Sequence, residues 1–599
     1  MTETAARTSM RADLPAILIL AVIQGGALYG LHQAIQSHAW PATRPPWLLA
    51  LYASVVFVPL TLQLLIEHAR RTALWVIGSV VCGMFFYFGW HHGSAVADRN
   101  AQSFVSQGEY FPMTFALLVW WLLLLPFLQN RLAVGRWLMD YPLLFRHAWR
   151  NVIGLAEAAL FTGLLWLLLE LWQTLFRMLG IGFFRELFQE PIFVYPVTAL
   201  AFGCALHLIG SIDRLVSAVL EQILNVLKWL GVVAGILLAL FTVALLFKLP
   251  QVVLTGAKVI GADDLMWLVA VVVLLLNAAY RDGTVERPYP KVIAQALRWC
   301  VPLLVVIAGA AFYALVIRAD HYGLTVQRVW AFVVATAALV YAVGYSLSVF
   351  GRGAWLKGIA RINVLAALTL LVIIGLALTP VLSPYRLAAN SQYQLIVDGR
   401  DVKAKQVYGG QNSYTYLGFA SGQYGRRKLE QLARLQGNPN AELIRTLAAL
   451  MLKQSSPAEP TPVLDAAQRV AHLNIYPAGR SLDAALAQRL TSDWSTPTPG
   501  GPPGLVDLAQ VAGVFADLDG DGVAEFVLTG LQGGPVYRLQ NGNWEPVARL
   551  WPRQANGPRG WTWENLKSDL SKGPVAATPP QWLDLSVGPE RFRVETQAW

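Results

Sequence analysis

Trp229 to Lys248 reads WLGVVAGILLALFTVALLFK, twenty residues whose single charge is the last one. An apolar run of about 20 residues is what crosses a hydrocarbon core roughly 30 Å thick. Ten comparable runs accompany it, at 14–35, 46–66, 73–91, 111–129, 151–179, 191–210, 264–280, 297–317, 326–349 and 361–382. All eleven lie in the first two thirds of a 599-residue chain with a mean hydropathy of +0.47 and 55% hydrophobic residues, too apolar for a soluble globular protein. Backbone groups in lipid must be satisfied within each segment, and these runs are far longer than barrel strands. The expected fold class is therefore a polytopic α-helical membrane protein, with 11 transmembrane helices within residues 1–385 and a C-terminal soluble α+β region ending in a small β module. The first run is not read as a secretory signal, because it is too long, lacks an A-x-A-like site and precedes ten more.

Charge orients the bundle. Of 46 basic and 36 acidic residues, 21 and 19 lie in 386–599, so 25 and 17 lie in the membrane part, mostly in connecting loops. This distribution argues against nucleic acid as a partner and for the lipid bilayer. Sorted by alternate loops, seventeen cations, among them Arg70, Arg71, Arg146, Arg150, Arg281 and Arg298, fall on one side and eight on the other. The cation-rich side is expected to be cytoplasmic. An odd number of spans then puts the N-terminus in the cytoplasm and the C-terminal domain on the periplasmic, extracytoplasmic side of a bacterial inner membrane. The three cysteines, Cys82, Cys204 and Cys300, all fall in spans. They leave no CxxC or thiolate zinc site and read as small hydrophobes.

Within the membrane part, Ser211 to Gly231 has apolar residues at helical spacing with charges opposite, and is expected to continue a neighbouring helix or lie along the cytoplasmic surface. No internal repeat stands out. Beyond the spans, 386–454 reads as a small helical module: YGRRKLEQLARLQG ends at Gly437, and NAELIRTLAALMLKQ is capped by Asn440. Residues 455–505 form a Pro-rich linker region, with SSPAEPTP (455–462) and STPTPGGPPG (495–504) unable to continue a helix or central strand. Residues 506–599 form the β module, in which EFVLTG, PVYRLQ, EPVARL, LDLSV and RFRVET alternate like strands and QNGNW supplies an Asn-Gly hairpin turn.

The β module contains FADLDGDGVAEFVLTG, Phe515 to Gly530. Numbered from Asp517, oxygen ligands fall at positions 1, 3, 5 and 9, from Asp517, Asp519, Asp521 and Glu525, with the Val523 carbonyl at 7. Calcium takes six to eight hard oxygens, and glycine permits the tight wrap that converges them. Position 12, where an EF-hand needs a bidentate Glu, is Leu528, and a strand follows rather than a helix. The loop resembles instead the acidic loops between strands of integrin-type repeat domains, although a single copy excludes a propeller. Two readings stay open, a structural Ca2+ site and a metal-free Asp/Gly-rich turn.

Ionisable residues inside spans are costly in lipid and usually face a bundle interior or a cavity. Glu157 and Glu170 in the fifth span and His207 in the sixth form the candidate intramembrane polar site. At 100° per residue the two carboxylates lie about 140° apart around their helix, so they are not a pair. Trp166, Trp172 and Gln173 around Glu170 suggest an interfacial or inter-helix hydrogen bond. A proton or cation relay through Glu157 and His207 stands against polar glue between helices. In GWHHGSAVAD (89–98), His91, His92 and Asp98 could share a metal or sit as interfacial polar residues.

LTPVLSPYRLAANSQ (378–392) and YLGFASGQYGRRKLEQL (416–432) are similar to the bacterial multi-pass proteins grouped as the domain of unknown function 4153 family. Pro384, Arg386, Ser391, Gln392, Tyr416, Leu417, Phe419, Gly422, Tyr424 and Gly425 match that family's junction and glycine-turn motifs, whereas Ser383, Gly418 and Gln423 depart from them. Residues 165–188, 195–210 and 277–283 also resemble it, so the likeness spans roughly 10–435 and leaves out the acidic loop. It implies a multi-pass envelope protein and no reaction, cofactor or catalytic residue.

With no nucleophile elbow, Walker loop or dinucleotide fingerprint, the expected function is that of a non-enzymatic membrane protein. It would present a calcium-stabilised periplasmic module to an envelope protein or ligand. The alternatives are a transporter or lipid-handling protein using Glu157, Glu170 and His207, and a membrane-bound envelope enzyme.

Overall fold

The computed structural model describes the chain except for residues 1–2, 69–70, 97–109, 139, 211–212, 256–260, 285–287, 352–354, 401–411, 455–465, 472, 496–510, 531–533, 551–562, 574–584, 588–589 and 593–599. Asp98, SSPAEPTP and all of STPTPGGPPG beyond Ser495 lie outside the described residues. The chain divides into two compact units, one of 1–394 with 420–428 and one of 395–419 with 429–599. The stretch 386–454, read above as one module, contributes to both.

The first unit is helical: α1 (Glu3–Gln36), α2 (Pro45–Leu64), α3 (Thr72–Val96), α4 (Tyr110–Val134), α5 (Tyr141–Met178), α6 (Phe183–Gln189), α7 (Pro191–Gly210), α8 (Asp213–Thr255), α9 (Ala262–Tyr280), α10 (Lys291–Cys300), α11 (Leu303–Tyr322), α12 (Val326–Val349), α13 (Ile359–Ala377) and the start of α14 (Pro384–Val397). Eleven segments are long and apolar enough to cross a membrane, and they coincide with the eleven runs read from the sequence. The ninth is built from two helices, because Pro302 has no N–H to continue α10 into α11. The amphipathic stretch before Trp229 continues directly into the span as part of α8, a single helix of 43 residues.

Two large apolar cores, with smaller clusters beside them, hold the described residues of this unit. One joins α8, α9, α11 and α12 through Leu238, Val269, Ile307, Ala311 and Tyr345. The other joins α2, α3, α4 and α13, where Phe57 stacks on Phe85 at 4.6 Å and Trp121 donates its indole N–H to Thr61 Oγ1 at 2.8 Å. Close approach of α2 and α3 rests on Gly89 and Gly93, four residues apart. A methyl group on Gly89 would come within 2.6 Å of Ala50 Cα, and one on Gly93 within 2.6 Å of Pro46 Cα. This is the small-xxx-small packing that lets membrane helices touch backbone to backbone.

The second unit contains α15 (Ser413–Phe419), α17 (Ala441–Lys453), α18 (Ala466–Ala471) and α19 (Ala484–Ser495), with part of α16 (Gly422–Leu432), besides a five-stranded sheet of β1 (Asn474–Tyr476), β2 (Val511–Ala516), β3 (Glu525–Gly530), β4 (Gly534–Gln540) and β5 (Asn543–Leu550). Strands β1 and β2 are parallel, and β2 to β5 form an antiparallel meander. A short helix α20 (Trp563–Leu570) and a hairpin of β6 (Leu585–Val587) and β7 (Glu590–Phe592) follow. Asn541 and Gly542 turn β4 into β5 with φ of 50° and 82°, as a primed hairpin turn requires. Asn440 precedes α17 as expected, but its side chain makes no cap hydrogen bond.

Phe526, fully buried, anchors the core of this unit with Leu486, Leu490, Phe515, Tyr537 and Trp544. Its ring lies over Gly513 of β2, where any Cβ would come within 2.6 Å of it. That constraint explains why β2 carries a residue of poor strand propensity in its middle.

Candidate functional site

The acidic loop closes the β2–β3 hairpin, whose last paired residues are Ala516 and Glu525. Gly520 and Gly522 adopt φ of +81° and +84°, a region that costs little only for glycine. The carboxylates first organise their own backbone. Asp517 accepts N–H bonds from Gly520 at 2.7 Å and Gly522 at 3.0 Å, Asp519 from Asp521 at 3.2 Å, and Asp521 from Val523 at 2.8 Å. Buried Glu525 accepts from Leu518 N–H at 2.8 Å.

Sequence reading missed the loop's cation. Arg538 of β4 lies beyond the pair Phe526 and Tyr537, so the register sets it across from Glu525. Its guanidinium reaches Asp519 Oδ2 and Asp521 Oδ2, each at 2.7 Å, and its Nε lies 3.8 Å from Glu525 Oε1. The Val523 N–H, and after it Arg538, hold the Asp521 carboxyl below its ordinary value. Asp521 first, then Asp519 and Glu525, push the Arg538 guanidinium up. The alternation of PVYRLQ was the only available signal, since the contact depends on hairpin register.

Asp517, Asp519 and Glu525 each present an oxygen within 4.8 Å of the others, a spacing that a hard cation could bridge. Asp519 and Asp521, both expected as ligands, are each held by Arg538. Three carboxylates, those of Asp519, Asp521 and Glu525, thus meet one guanidinium. Of the expected ligands, Asp517, Asp519 and Glu525 are the ones brought together.

The intramembrane candidates do not converge. Glu157 and His207 are each half-buried, on α5 and α7, and no hydrogen bond or ion pair joins them to each other or to Glu170. Helices α5 and α7 are linked instead by Trp166, whose indole N–H donates to Thr198 Oγ1 at 3.1 Å. Glu170 is exposed and accepts from the Gln173 amide on its own helix.

His91 and His92 diverge. The His91 ring lies 3.0 Å from Leu378 O and 3.3 Å from Tyr424 OH, while the His92 ring packs edge-on against Tyr385 at 5.4 Å. They pin the junction that carries the family-like motif. There Ser391 Oγ accepts from Leu324 N–H at 2.8 Å, and the Gln392 amide donates to Tyr322 O and Leu324 O at 3.2 and 3.0 Å. Gly422, at φ +55°, sits against Ala95 O where a side chain would overlap.

A second polar site had escaped the sequence. The Asn277 amide donates to Tyr345 OH at 2.8 Å, Tyr345 OH donates to Asn363 Oδ1 at 2.5 Å, and the Asn363 amide donates to Asn277 Oδ1 at 2.6 Å. The result is a closed triangle tying α9, α12 and α13, with Tyr345 and Asn363 buried. Tyr141 OH of α5 donates to Arg281 O at 2.9 Å, and Arg281 donates to Asn225 Oδ1 of α8 at 2.7 Å, with Glu221 at 3.9 Å. Lone asparagines in apolar runs were the available sign, and NAAYRDG contains one of them.

No protein-family model, no curated protein and no solved structure matches this chain.

Proposed function

We propose that this integral membrane protein presents its C-terminal unit on the extracytoplasmic side of a bacterial inner membrane, as a calcium-stapled module that binds an envelope protein or ligand. The observation that carries the reading is the acidic loop: Asp517, Asp519 and Glu525 converge at the tip of a well-packed hairpin, and Arg538 offsets one of four carboxylate charges. Weak calcium sites of the extracellular type fill at roughly 0.1–1 mM, a level met outside the cytoplasm. The excess of cations in alternate loops supports the orientation. Membership of the domain of unknown function 4153 family belongs to the same proposal, supported by the packing of Ser391, Gln392, Gly422 and Tyr424 at the junction.

Two measurements test it. Alkaline phosphatase fused after Trp599 should be active, and an inactive fusion paired with a fluorescent cytoplasmic reporter would end the orientation. Calcium at millimolar concentration should raise the melting temperature of the full chain in detergent, and Asp519→Ala should abolish the rise. An identical melt with and without chelator would return the loop to an ordinary turn. The relay reading through Glu157 and His207 draws no support from a contact, and no constellation of catalytic type accompanies the enzyme reading among the described residues.

A further inference from the structure

The least covered spans are α5 and α7, with 17% of the most apolar window of each buried, against 56% for α9. Leu164, Leu167, Leu168, Leu171 and Leu175 are exposed along α5, as lipid-facing residues would be. Glu170 does not fit that company. It is exposed among these leucines, although ionisable residues in spans nearly always face a bundle interior or a partner.

Its depth makes the exposure costly. Arg150 and Arg177 bracket the apolar part of α5, about 40 Å apart at 1.5 Å per residue. A hydrocarbon slab of roughly 30 Å centred between them leaves Glu170 about 5 Å inside its boundary. Side chains on a helix lean toward its N-terminus, which for Glu170 is toward the bilayer middle, so escape to the nearer surface runs against the geometry. The neighbouring Gln173 donates its amide N–H to Glu170 and leaves its own Oε1 buried without a partner. The acceptor left facing outward is therefore the Glu170 carboxylate, with one oxygen already taken by Gln173.

We propose that the exposed face of α5 around Glu170 docks a transmembrane helix of another protein bearing an arginine or lysine at the same depth. A cation with several N–H donors satisfies the outward-facing carboxylate oxygen and neutralises the charge. A second copy docking through the same face would bring residues 151–176, which contain no arginine or lysine to pair with Glu170, so the occupant is a different chain. The inference rests on the membrane reading alone and is independent of the calcium loop.

The test uses the full chain in phosphatidylcholine nanodiscs and labelled single-span Leu/Ala peptides carrying Arg, Leu or Glu at the matching depth, with association read by energy transfer. The Arg peptide should bind about tenfold more tightly than the Leu peptide, the scale of an inter-helix hydrogen bond in lipid. Glu170→Gln should erase the preference, and Glu170→Lys should transfer it to the Glu peptide. Equal binding of Arg and Leu peptides to the unaltered chain, or an Arg preference that survives Glu170→Gln, overturns the proposal. So does self-association of the chain alone that depends on Glu170. Should Glu170→Gln fail to reconstitute, Glu170→Lys with the Glu peptide decides: no pairing sinks the idea.

Discussion

The two units satisfy their internal polar groups in opposite ways. In the helical unit the contacts that join α9, α12 and α13 are neutral, amide to phenol to amide, through Asn277, Tyr345 and Asn363. In the C-terminal unit charged groups take part, nearer to water: Arg538 bridges Asp519 and Asp521, and the Asp483 and Asp493 carboxylates accept from Trp544 Nε1 at 2.9 Å and Tyr537 OH at 3.0 Å. Desolvating an ion costs several kcal/mol more than desolvating an amide, so charge collects where water can still reach it.

The comparison can be broken most forcefully at the apolar anchor of the C-terminal unit. Phe526→Ala should cost about 3–5 kcal/mol, seen as loss of the sheet's unfolding transition, while the helical content of the membrane unit is retained. Next comes the neutral triangle. Asn363→Leu strands the Tyr345 hydroxyl and should cost about 1–3 kcal/mol in the thermal stability of the detergent-solubilised chain, whereas Asn363→Asp, which brings in a charge, should cost more. Equal melts for the two variants would mean that water reaches the site.

The charged side gives smaller effects. Arg538→Met should lower the melting temperature without calcium, by leaving four carboxylates facing one another, and enlarge the rise that calcium produces. Smallest is the acid dependence. The Asp521 carboxyl is held below its ordinary 3.8 by the Val523 N–H and then by Arg538. Its stabilising contribution is therefore present above that value and lost as pH falls through the lowered one. Arg538→Met should flatten that part of the acid titration, and the effect stays modest because both groups are exposed.

How far the sequence could be read follows the same divide. Spans were legible because lipid demands unbroken apolar length, and all eleven runs became helices. Strands β3, β4 and β5 were legible because they alternate. Strand β2 was not, since Gly513 sits in its middle to admit the Phe526 ring, a need that exists only after packing. The acidic loop showed its spacing but not its counter-ion, because Arg538 arrives through strand register. GWHHG drew attention for its histidines, yet the glycines on either side do the packing. Asn277 and Asn363 fall in different spans, and nothing in one run announces its partner in another.

The closed triangle of Asn277, Tyr345 and Asn363 has one more property. Amides and phenols carry no charge at neutral pH. A membrane voltage acts on each elementary charge with about 2.3 kcal/mol per 100 mV and has no such purchase on these groups. Helices α9, α12 and α13 are therefore joined by a fastening that carries no charge for a membrane voltage or a proton near neutral pH to act on, and any response of this protein to either must begin at other groups.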